Sequence, residues 1–194
     1  MKTSSEELIA DLIERAKWNL SNAQALKDES KEALNWKAGP KIWSALECFE
    51  HMNLYSEIYL GRIEEYMSKS NQAPQDRFKT GGLGNWFAKM MQPGDAGTKM
   101  KTFKSKDPNG SALNVSVIDT YIKDQHRSLK LLDEARGKNL SKTKVPTDLG
   151  NWAKVKLGDA FRIIVYHNQR HLEQAQRSFQ AYVNQVRNGG LATN

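Results

Sequence analysis

Several features that define other protein classes are scarce in this sequence. Its 194 residues contain a single cysteine, Cys48, so no internal disulfide can form and nothing indicates an oxidising compartment. No stretch approaches the roughly 18 apolar residues of a membrane-spanning helix, and the N-terminal segment has no apolar core of the signal-peptide type. We therefore expect a cytoplasmic protein with no membrane partner.

Recognised catalytic motifs are also missing. The chain has no nucleophile elbow, Walker P-loop, HExxH zinc motif or CxxC pair, so the standard hydrolase, kinase and redox classes lack support. The segment GGLGN, residues 81–85, follows no predicted strand and lacks the third spaced glycine of a dinucleotide fingerprint, so we interpret it as a flexible loop. Persistent apolar and polar alternation, which would indicate strands, is absent, and so are internal repeats.

What is present indicates a folded, all-α domain. The chain is 39% hydrophobic and 26% charged and has five tryptophans, a composition typical of globular proteins rather than disordered ones. Its length fits one domain, which we place at residues 1–187, followed by a flexible tail at residues 188–194.

Four long helices are predicted from apolar residues spaced three and four apart. Their predicted ranges are residues 5–33, 44–67, 113–136 and 158–187. The first two begin with a capping box, in which a serine side chain and a glutamate three residues later satisfy the free amides of the opening turn: Ser4 with Glu7, and Ser44 with Glu47. Residues 138–147 are predicted to be a polar linker.

A long basic connection separates the second and third predicted helices. Residues 68–112 contain nine glycines and prolines, too many for a long regular element, although a short helix is predicted near residues 86–91. The segment carries eight Lys or Arg against three Asp, which is +5 of the formal +7 net charge. We interpret this positive charge as a feature that keeps an exposed loop soluble. The alternative is that the loop binds an anion or a partner. A nucleic-acid partner is not favoured.

Three histidines form a candidate metal site. His167 and His171 lie four residues apart, so on a helix they project about 40° and about 6 Å apart, within reach of one ion. That spacing alone is also common between solvated surface histidines. His51 lies in an apolar part of the second predicted helix, and core metal sites of bundles take ligands from facing helices. We therefore predict these three side chains as the metal ligands.

The predicted ligands restrict the metal. Three imidazoles with an open fourth position are typical of catalytic rather than closed structural sites. Imidazole suits Zn, Ni, Cu or Fe and does not suit Mg or Ca, so we expect a divalent transition metal, with Zn or Ni first.

Other polar residues are candidates for supporting roles. His126 is either a fourth ligand or, as we favour, a boundary residue of the third helix. Gln174 lies one turn after His171 and is placed to hydrogen-bond a ligand histidine or a bound water. Glu47 is either a proton acceptor near the metal or simply the capping residue, which we favour.

Two segments resemble a known family. IWSALECFEHM, residues 42–52, is similar to the W-S-x-x-E-x-x-x-H helix start of the DinB-like superfamily, and LGDAFRIIVYHNQRHLEQAQR, residues 157–177, is similar to its closing H-x-x-x-H-x-x-Q helix. The resemblance implies an up-down-down-up four-helix bundle with residues 68–112 as the long crossover between helices 2 and 3. It also implies the same three histidine ligands.

The resemblance further implies a metal-dependent enzyme acting on a small-molecule substrate. The superfamily includes YfiT-type metal-dependent hydrolases, thiol-dependent S-transferases and maleylpyruvate isomerases, and in the S-transferase branch the metal holds the sulfur of a low-molecular-weight thiol. Gln174 or Tyr55 would orient the substrate, while Asn168 stands where many relatives carry an acidic residue. The alternative is a non-catalytic metal-binding or stress-response helical bundle acting through partner binding. A homodimer stays open in either case.

Overall fold

The computed structural model describes residues 1–94 and 102–189 of the chain. This part of the chain is mostly helical. Its helices are α1 (Ser5–Lys27), α2 (Lys31–Asn35), α3 (Ala45–Ser68), α4 (Gly82–Met91), α5 (Ser116–Glu134) and α6 (Leu157–Arg187). Its strands are β1 (Lys2–Ser4), β2 (Arg77–Lys79), β3 (Lys144–Thr147) and β4 (Gly150–Lys156). Short 3-10 turns lie at Lys104–Lys106 and Ala135–Gly137.

Two predicted features fall partly outside these residues. Lys99 and Lys101 of the predicted basic crossover belong to residues 95–101, and residues 190–194 make up most of the predicted tail. Those two expectations therefore lie outside the described residues. None of the described helices has the combination of length and apolar character needed to cross a membrane.

The four predicted long helices are present as α1, α3, α5 and α6. Both predicted capping boxes are formed: each serine hydroxyl accepts a hydrogen bond from the backbone N–H three residues later, and the glutamate there accepts one from the serine N–H. Helix α1 packs against α5 and α6, and α3 packs against the same two helices. The prediction of a largely helical protein is confirmed.

The predicted first helix is wrong at its C-terminal end. Helix α1 ends at Lys27, and the separate helix α2 follows, with the Ser30 hydroxyl accepting a hydrogen bond from the Ala33 N–H. A serine side chain that caps a new helix competes with continuation of the previous one. The break allows α2 to pack on both α3 and α6.

The expectation of no strands is also wrong. The predicted polar linker contains β3, which pairs antiparallel with β4 and places Val145 opposite Val155. These two valines and Ala153 are buried, while the intervening Lys154 is exposed. The alternation is real but lasts only a few residues, and its outward positions hold the exposed Trp152 as well as lysines. A second antiparallel pair joins β1 to β2, so the start of the chain lies against the crossover.

The crossover is more regular than the sequence indicates. Helix α4 begins at Gly82, so the interpretation of residues 81–85 as a flexible loop is wrong, and the short helix predicted near residues 86–91 starts earlier. Gly84 is needed inside this helix because a Cβ at that position would lie 2.5 Å from the side chain of Asp159 on α6. Here glycine serves close packing rather than a turn.

Two hydrophobic clusters make up the core, and α6 passes from one to the other. Tyr166 is the last α6 residue of the first cluster and Leu172 is the first of the second. The α6 histidines lie between these two residues, and His51 is adjacent to Met52, the last α3 residue of the second cluster. The three histidines therefore lie where the two clusters meet.

Candidate metal centre

Three histidine side chains converge between α3 and α6. His51 belongs to α3, whereas His167 and His171 lie one turn apart on α6. Each contributes one ring nitrogen to a group whose atoms all lie within 4.8 Å of one another, and the ring centroids are 4.5 to 5.0 Å apart. His51 and His167 are buried and His171 is partly exposed. The structure brings together all three predicted ligands.

Hydrogen bonds fix the tautomer of two of these rings. His51 Nδ1 lies 2.8 Å from the Lys106 carbonyl oxygen, and His171 Nδ1 lies 3.0 Å from Gln174 Oε1. Because both oxygens can only accept, each Nδ1 carries the proton and donates it. Each Nε2 is then left with its lone pair, the arrangement found when an outer oxygen orients a metal-binding histidine.

The spacing between two ring nitrogens fits a shared ion. His51 Nε2 and His167 Nε2 lie 3.2 Å apart. Two nitrogens bound tetrahedrally to one zinc at about 2.0–2.1 Å are separated by about 3.3–3.4 Å, so neither ring has to move far to chelate one ion. The same distance also accommodates a hydrogen bond between the rings when one Nε2 carries a proton.

Burial keeps the three imidazoles neutral. It lowers the pKa of His51 to about 4, even though the hydrogen bond to the Lys106 carbonyl acts in the opposite direction. Burial, and then the neighbouring His171 and His51, lower the pKa of His167 well below its ordinary value. Burial and His51 do the same for the pKa of His171. The neutral form is the one that binds a metal.

The donor set fits a transition metal. Within the described ranges the cluster consists of imidazoles alone, without the carboxylate oxygens that Mg or Ca prefer. The buried Nδ1 of His167 has no hydrogen-bond partner among the described atoms, so no oxygen fixes the tautomer of that ring. His126 is exposed on α5 and is not a member of the cluster, in keeping with the boundary role.

A cavity of about 120 Å³ opens onto the histidines. Its walls include Tyr55 of α3, Phe103 between α4 and α5, Met91 at the end of α4 and Arg170 of α6. A larger cavity of about 420 Å³ also borders His171 and shares Thr102 and Arg170 with the first. Two cavities formed by the described residues therefore border the histidine cluster.

Tyr55 and Gln174, the predicted substrate-orienting residues, both lie at the cluster. The Tyr55 ring centroid is 5.0 Å from that of His51 and 4.7 Å from that of His167. Burial, reinforced by the nearby Asp148 carboxylate, raises the pKa of Tyr55 to about 12, so its hydroxyl keeps its proton at neutral pH. Gln174 accepts the hydrogen bond from His171, as predicted.

Glu47 is occupied by structural contacts. Its carboxylate accepts hydrogen bonds from the Ser44 N–H at 2.9 Å, from Lys37 Nζ at 2.8 Å and from the Gly110 N–H at 2.6 Å. These contacts favour its capping role over a role as proton acceptor.

Two neighbours of the histidines were not predicted from the sequence. One is the Lys106 carbonyl, a backbone group for which no side-chain pattern gives a signal. The other is Trp43, whose ring lies 4.7 Å from that of His51 and 5.9 Å from that of His171, and whose Nε1–H donates to Asp107 at 3.1 Å. Its position directly before the capping serine is the signal from which it could have been found.

Comparison with known protein families identifies the family to which the chain belongs. A family model described as the DinB superfamily matches residues 18–175, more than half of the chain, and this range includes all three clustered histidines. No curated protein and no solved structure matches the chain.

Proposed function

The chain belongs to the DinB superfamily, whose members typically bind a metal, and from this premise we propose a metal-dependent enzyme, a thiol-dependent S-transferase or a hydrolase. In this proposal His51, His167 and His171 hold a divalent transition metal, Zn or Ni first. The observation that carries it is the convergence of three neutral imidazoles, with their ring nitrogens within 4.8 Å of one another, beside a cavity.

The proposed architecture is a single domain over residues 1–187, a four-helix bundle whose long helices run up-down-down-up. Residues 68–112 form the crossover, which a bundle needs when two consecutive helices run parallel. The packing of α3 against both α5 and α6 supports this arrangement, since it places the His51 helix beside the helix of the other two ligands.

The metal and the protein have separate tasks. When bound, a divalent ion lowers the pKa of a coordinating water or thiol, so that a nucleophile is available near neutral pH. The Lys106 carbonyl and Gln174 hold the imidazoles in the tautomer that presents Nε2. Tyr55 lines the same cavity and retains its proton, so it can donate a hydrogen bond that orients the substrate.

Thiol transfer is the better supported of the two reactions. A nearby carboxylate often assists a metal-bound water as general base, whereas a thiol that coordinates the metal is deprotonated outright. Glu47 already accepts three hydrogen bonds, and Asn168 has no carboxylate to offer. A low-molecular-weight thiol is therefore our first choice of co-substrate.

The non-catalytic alternative makes a different demand on the site. A purely structural metal site is closed by a fourth protein ligand. The exposed position of His126 and the cavity beside the histidines favour an open fourth position instead.

Metal content measured by mass spectrometry tests the proposal. Wild-type protein is purified without an affinity tag beside His51→Ala, with His126→Ala as a control that removes an exposed histidine. We expect close to one transition-metal ion per chain in wild type and control, and its loss in His51→Ala. Thiol transfer is then assayed on the loaded protein. A wild type that stays empty after reconstitution with Zn, Ni, Cu and Fe would remove the basis of the proposal.

A further inference from the structure

Another cavity next to the histidine cavity, distinct from the one of about 420 Å³, has a volume of about 250 Å³ and is the second cavity of the proposed site. The two share Phe103 as a common wall. The second cavity is lined by Ile58, Arg62, Phe103, Ser105, Lys106 and Asp148. It therefore combines two cationic side chains and one carboxylate beside an apolar wall.

One face of α3 links the two cavities. His51, Tyr55, Ile58 and Arg62 follow one another at spacings of four, three and four residues, so they lie along a single stripe of the helix. Eleven residues of α-helix correspond to about 16 Å between the first and last Cα of that stripe. A ligand that reaches from the histidines to Arg62 must be elongated.

Lys106 belongs to both sites. Its carbonyl oxygen accepts the hydrogen bond from His51, while its Nζ donates to the Leu54 carbonyl at 3.0 Å and lies 5.9 Å from the centroid of the Tyr55 ring. The charged end of this lysine thus lies near Tyr55, a wall of the histidine cavity, while Lys106 itself lines the second cavity.

The charged side chains of the second cavity are only loosely paired with each other. Arg62 Nη1 and Asp148 Oδ1 are 3.7 Å apart, an ion pair that is too long for a hydrogen bond. Both atoms are buried, and neither has a hydrogen-bond partner among the described residues. The Arg62 and Asp148 side chains nevertheless keep 31% and 15% of their surface exposed, so a ligand in the cavity can reach their other polar atoms and add the hydrogen bonds that this loose pair lacks.

The sign pattern selects the kind of ligand. A simple anion at Arg62 would face the Asp148 carboxylate, and a simple cation at Asp148 would face Arg62 and Lys106. A group that carries a carboxylate and an ammonium on the same carbon satisfies both sides at once. Burial raises the pKa of Asp148 while the charges of Arg62 and Lys106 oppose that rise, and a ligand ammonium would oppose it further.

We propose that the second cavity recognises an α-amino acid group at the far end of the molecule whose reactive end is bound at the histidines. Arg62 binds the carboxylate and Asp148 binds the ammonium. This inference rests on the proposed function, and it names the substrate class as an elongated amino acid or peptide-like thiol. Free cysteine is too short, because its sulfur and its amino acid group are separated by only two bonds.

Glutathione serves as the probe, because its thiol and its γ-glutamyl amino acid group lie several bonds apart. Binding to zinc-loaded protein is measured by calorimetry for glutathione, for glutathione acetylated on the α-amino group, and for 2-mercaptoethanol. The variant is the double substitution Arg62→Gln with Asp148→Asn, which keeps both shapes and leaves no lone buried charge. The matched control neutralises the exposed pair of Arg136 and Glu6 by Arg136→Gln with Glu6→Gln.

We expect glutathione to bind at least about tenfold more weakly to the double variant, the effect of losing at least one charge-assisted hydrogen bond. Affinity for 2-mercaptoethanol and zinc content should be unchanged, and the control should behave as wild type. Acetylated glutathione should bind wild type more weakly than glutathione does, because it keeps the carboxylate for Arg62 but offers Asp148 no ammonium, and it should lose less affinity than glutathione in the double variant. Equal affinity of wild type and double variant for glutathione, or equal affinity of wild type for glutathione and its acetylated form, would overturn the proposal.

Failure of the metal site is a separate outcome. If wild type holds no metal, S-methylglutathione, which has no free thiol, is titrated into the metal-free proteins, and the same loss in the double variant is expected; no difference there overturns the inference on its own. If the double variant does not fold, Arg62→Lys replaces it, because lysine keeps the charge but loses the planar fork that pairs with a carboxylate.

Discussion

Helix α6 carries two buried polar clusters about two turns apart, and they use their polar atoms in opposite ways. In the first, the fully buried Asp159 accepts hydrogen bonds from the Thr80 hydroxyl, from the Gly81 N–H at 2.8 Å and from Arg162 at 2.9 Å. Arg162 also donates to Asn85 at 3.3 Å. This cluster is charged and largely satisfies itself.

The second cluster is neutral and does not satisfy itself. The rings of His51 and His171 direct their Nδ1 protons outward to Lys106 and Gln174, so the Nε2 of each keeps a lone pair that the cluster can offer to a ligand. The difference separates a structural cluster from a binding site: groups that complete one another hold the fold, whereas converging lone pairs require a ligand.

The Asp159 cluster has a specific structural task. Thr80, Gly81 and Asn85 lie at the start of α4, so their contacts fix that end of the helix on α6. The other end is held by Arg170, whose guanidinium donates to the Met90 carbonyl at 2.7 Å. Helix α4 thereby forms a fixed wall of the histidine cavity.

The largest effect on stability is expected from Asp159→Ala. The change leaves Arg162 buried without its carboxylate, and breaking a buried pair from one side typically costs about 3–5 kcal/mol of unfolding free energy. Urea denaturation of metal-free protein measures it, with Asp133→Ala, at an exposed pair with Arg136, as the control. The folded fraction should still bind one metal ion. Loss of the metal without loss of stability would contradict the assignment of a structural role to the Asp159 cluster and a binding role to the histidines.

The pH dependence of stability should come from the other cluster. The pKa of His51 is 6.5 in the unfolded chain and about 4 in the folded protein. Between these two values the unfolded chain binds a proton at His51 that the folded protein does not bind. Stability contributed by neutral His51 is therefore complete above pH 6.5 and is lost as the pH falls toward 4, on the order of 3 kcal/mol. Comparison of metal-free wild type with His51→Gln from pH 7 to 4 measures it. Parallel curves would contradict the expectation.

The smallest effect concerns the outer partner of a ligand. Gln174→Leu removes the acceptor for His171, and losses of this kind typically lower metal affinity about 10–100-fold. Competition with a chromogenic zinc chelator measures the affinity, and Gln180→Leu, an exposed glutamine on the same helix, is the control. Unfolding free energy should hardly change. A stability loss as large as that of Asp159→Ala would mean that the two clusters do not differ in kind.

The helices were predictable because their signals are local. The capping boxes at Ser4 and Ser44 and the three-and-four spacing of apolar residues lie within the elements that they specify. The break before α2 had a local signal too, in the capping Ser30, but the apolar spacing continued through it. The strand pair β1 and β2 joins segments more than seventy residues apart, and no local pattern specifies such a pairing.

The site divides in the same way. The spacing of His167 and His171 identifies half of it, and His51 completes it because a histidine among apolar residues on a helix stands out. The Asp159 cluster could not be predicted from the sequence, because its partners come from a glycine-rich segment whose composition is also typical of loops. Gly84 illustrates the ambiguity: the residue that indicates a loop is the one that lets α4 pack against Asp159.

The bond from His51 to the Lys106 carbonyl has a consequence for genetics. No side-chain substitution deletes a carbonyl, so an alanine scan would pass over Lys106 as an orienting group. The path of this segment is held by Trp43 to Asp107, Lys37 to Asn109 and Glu47 to Gly110. A scan would instead score Glu47 and Asp107 as functional residues, although their contacts to Gly110 and Trp43 act on the site by keeping the chain where its backbone meets His51.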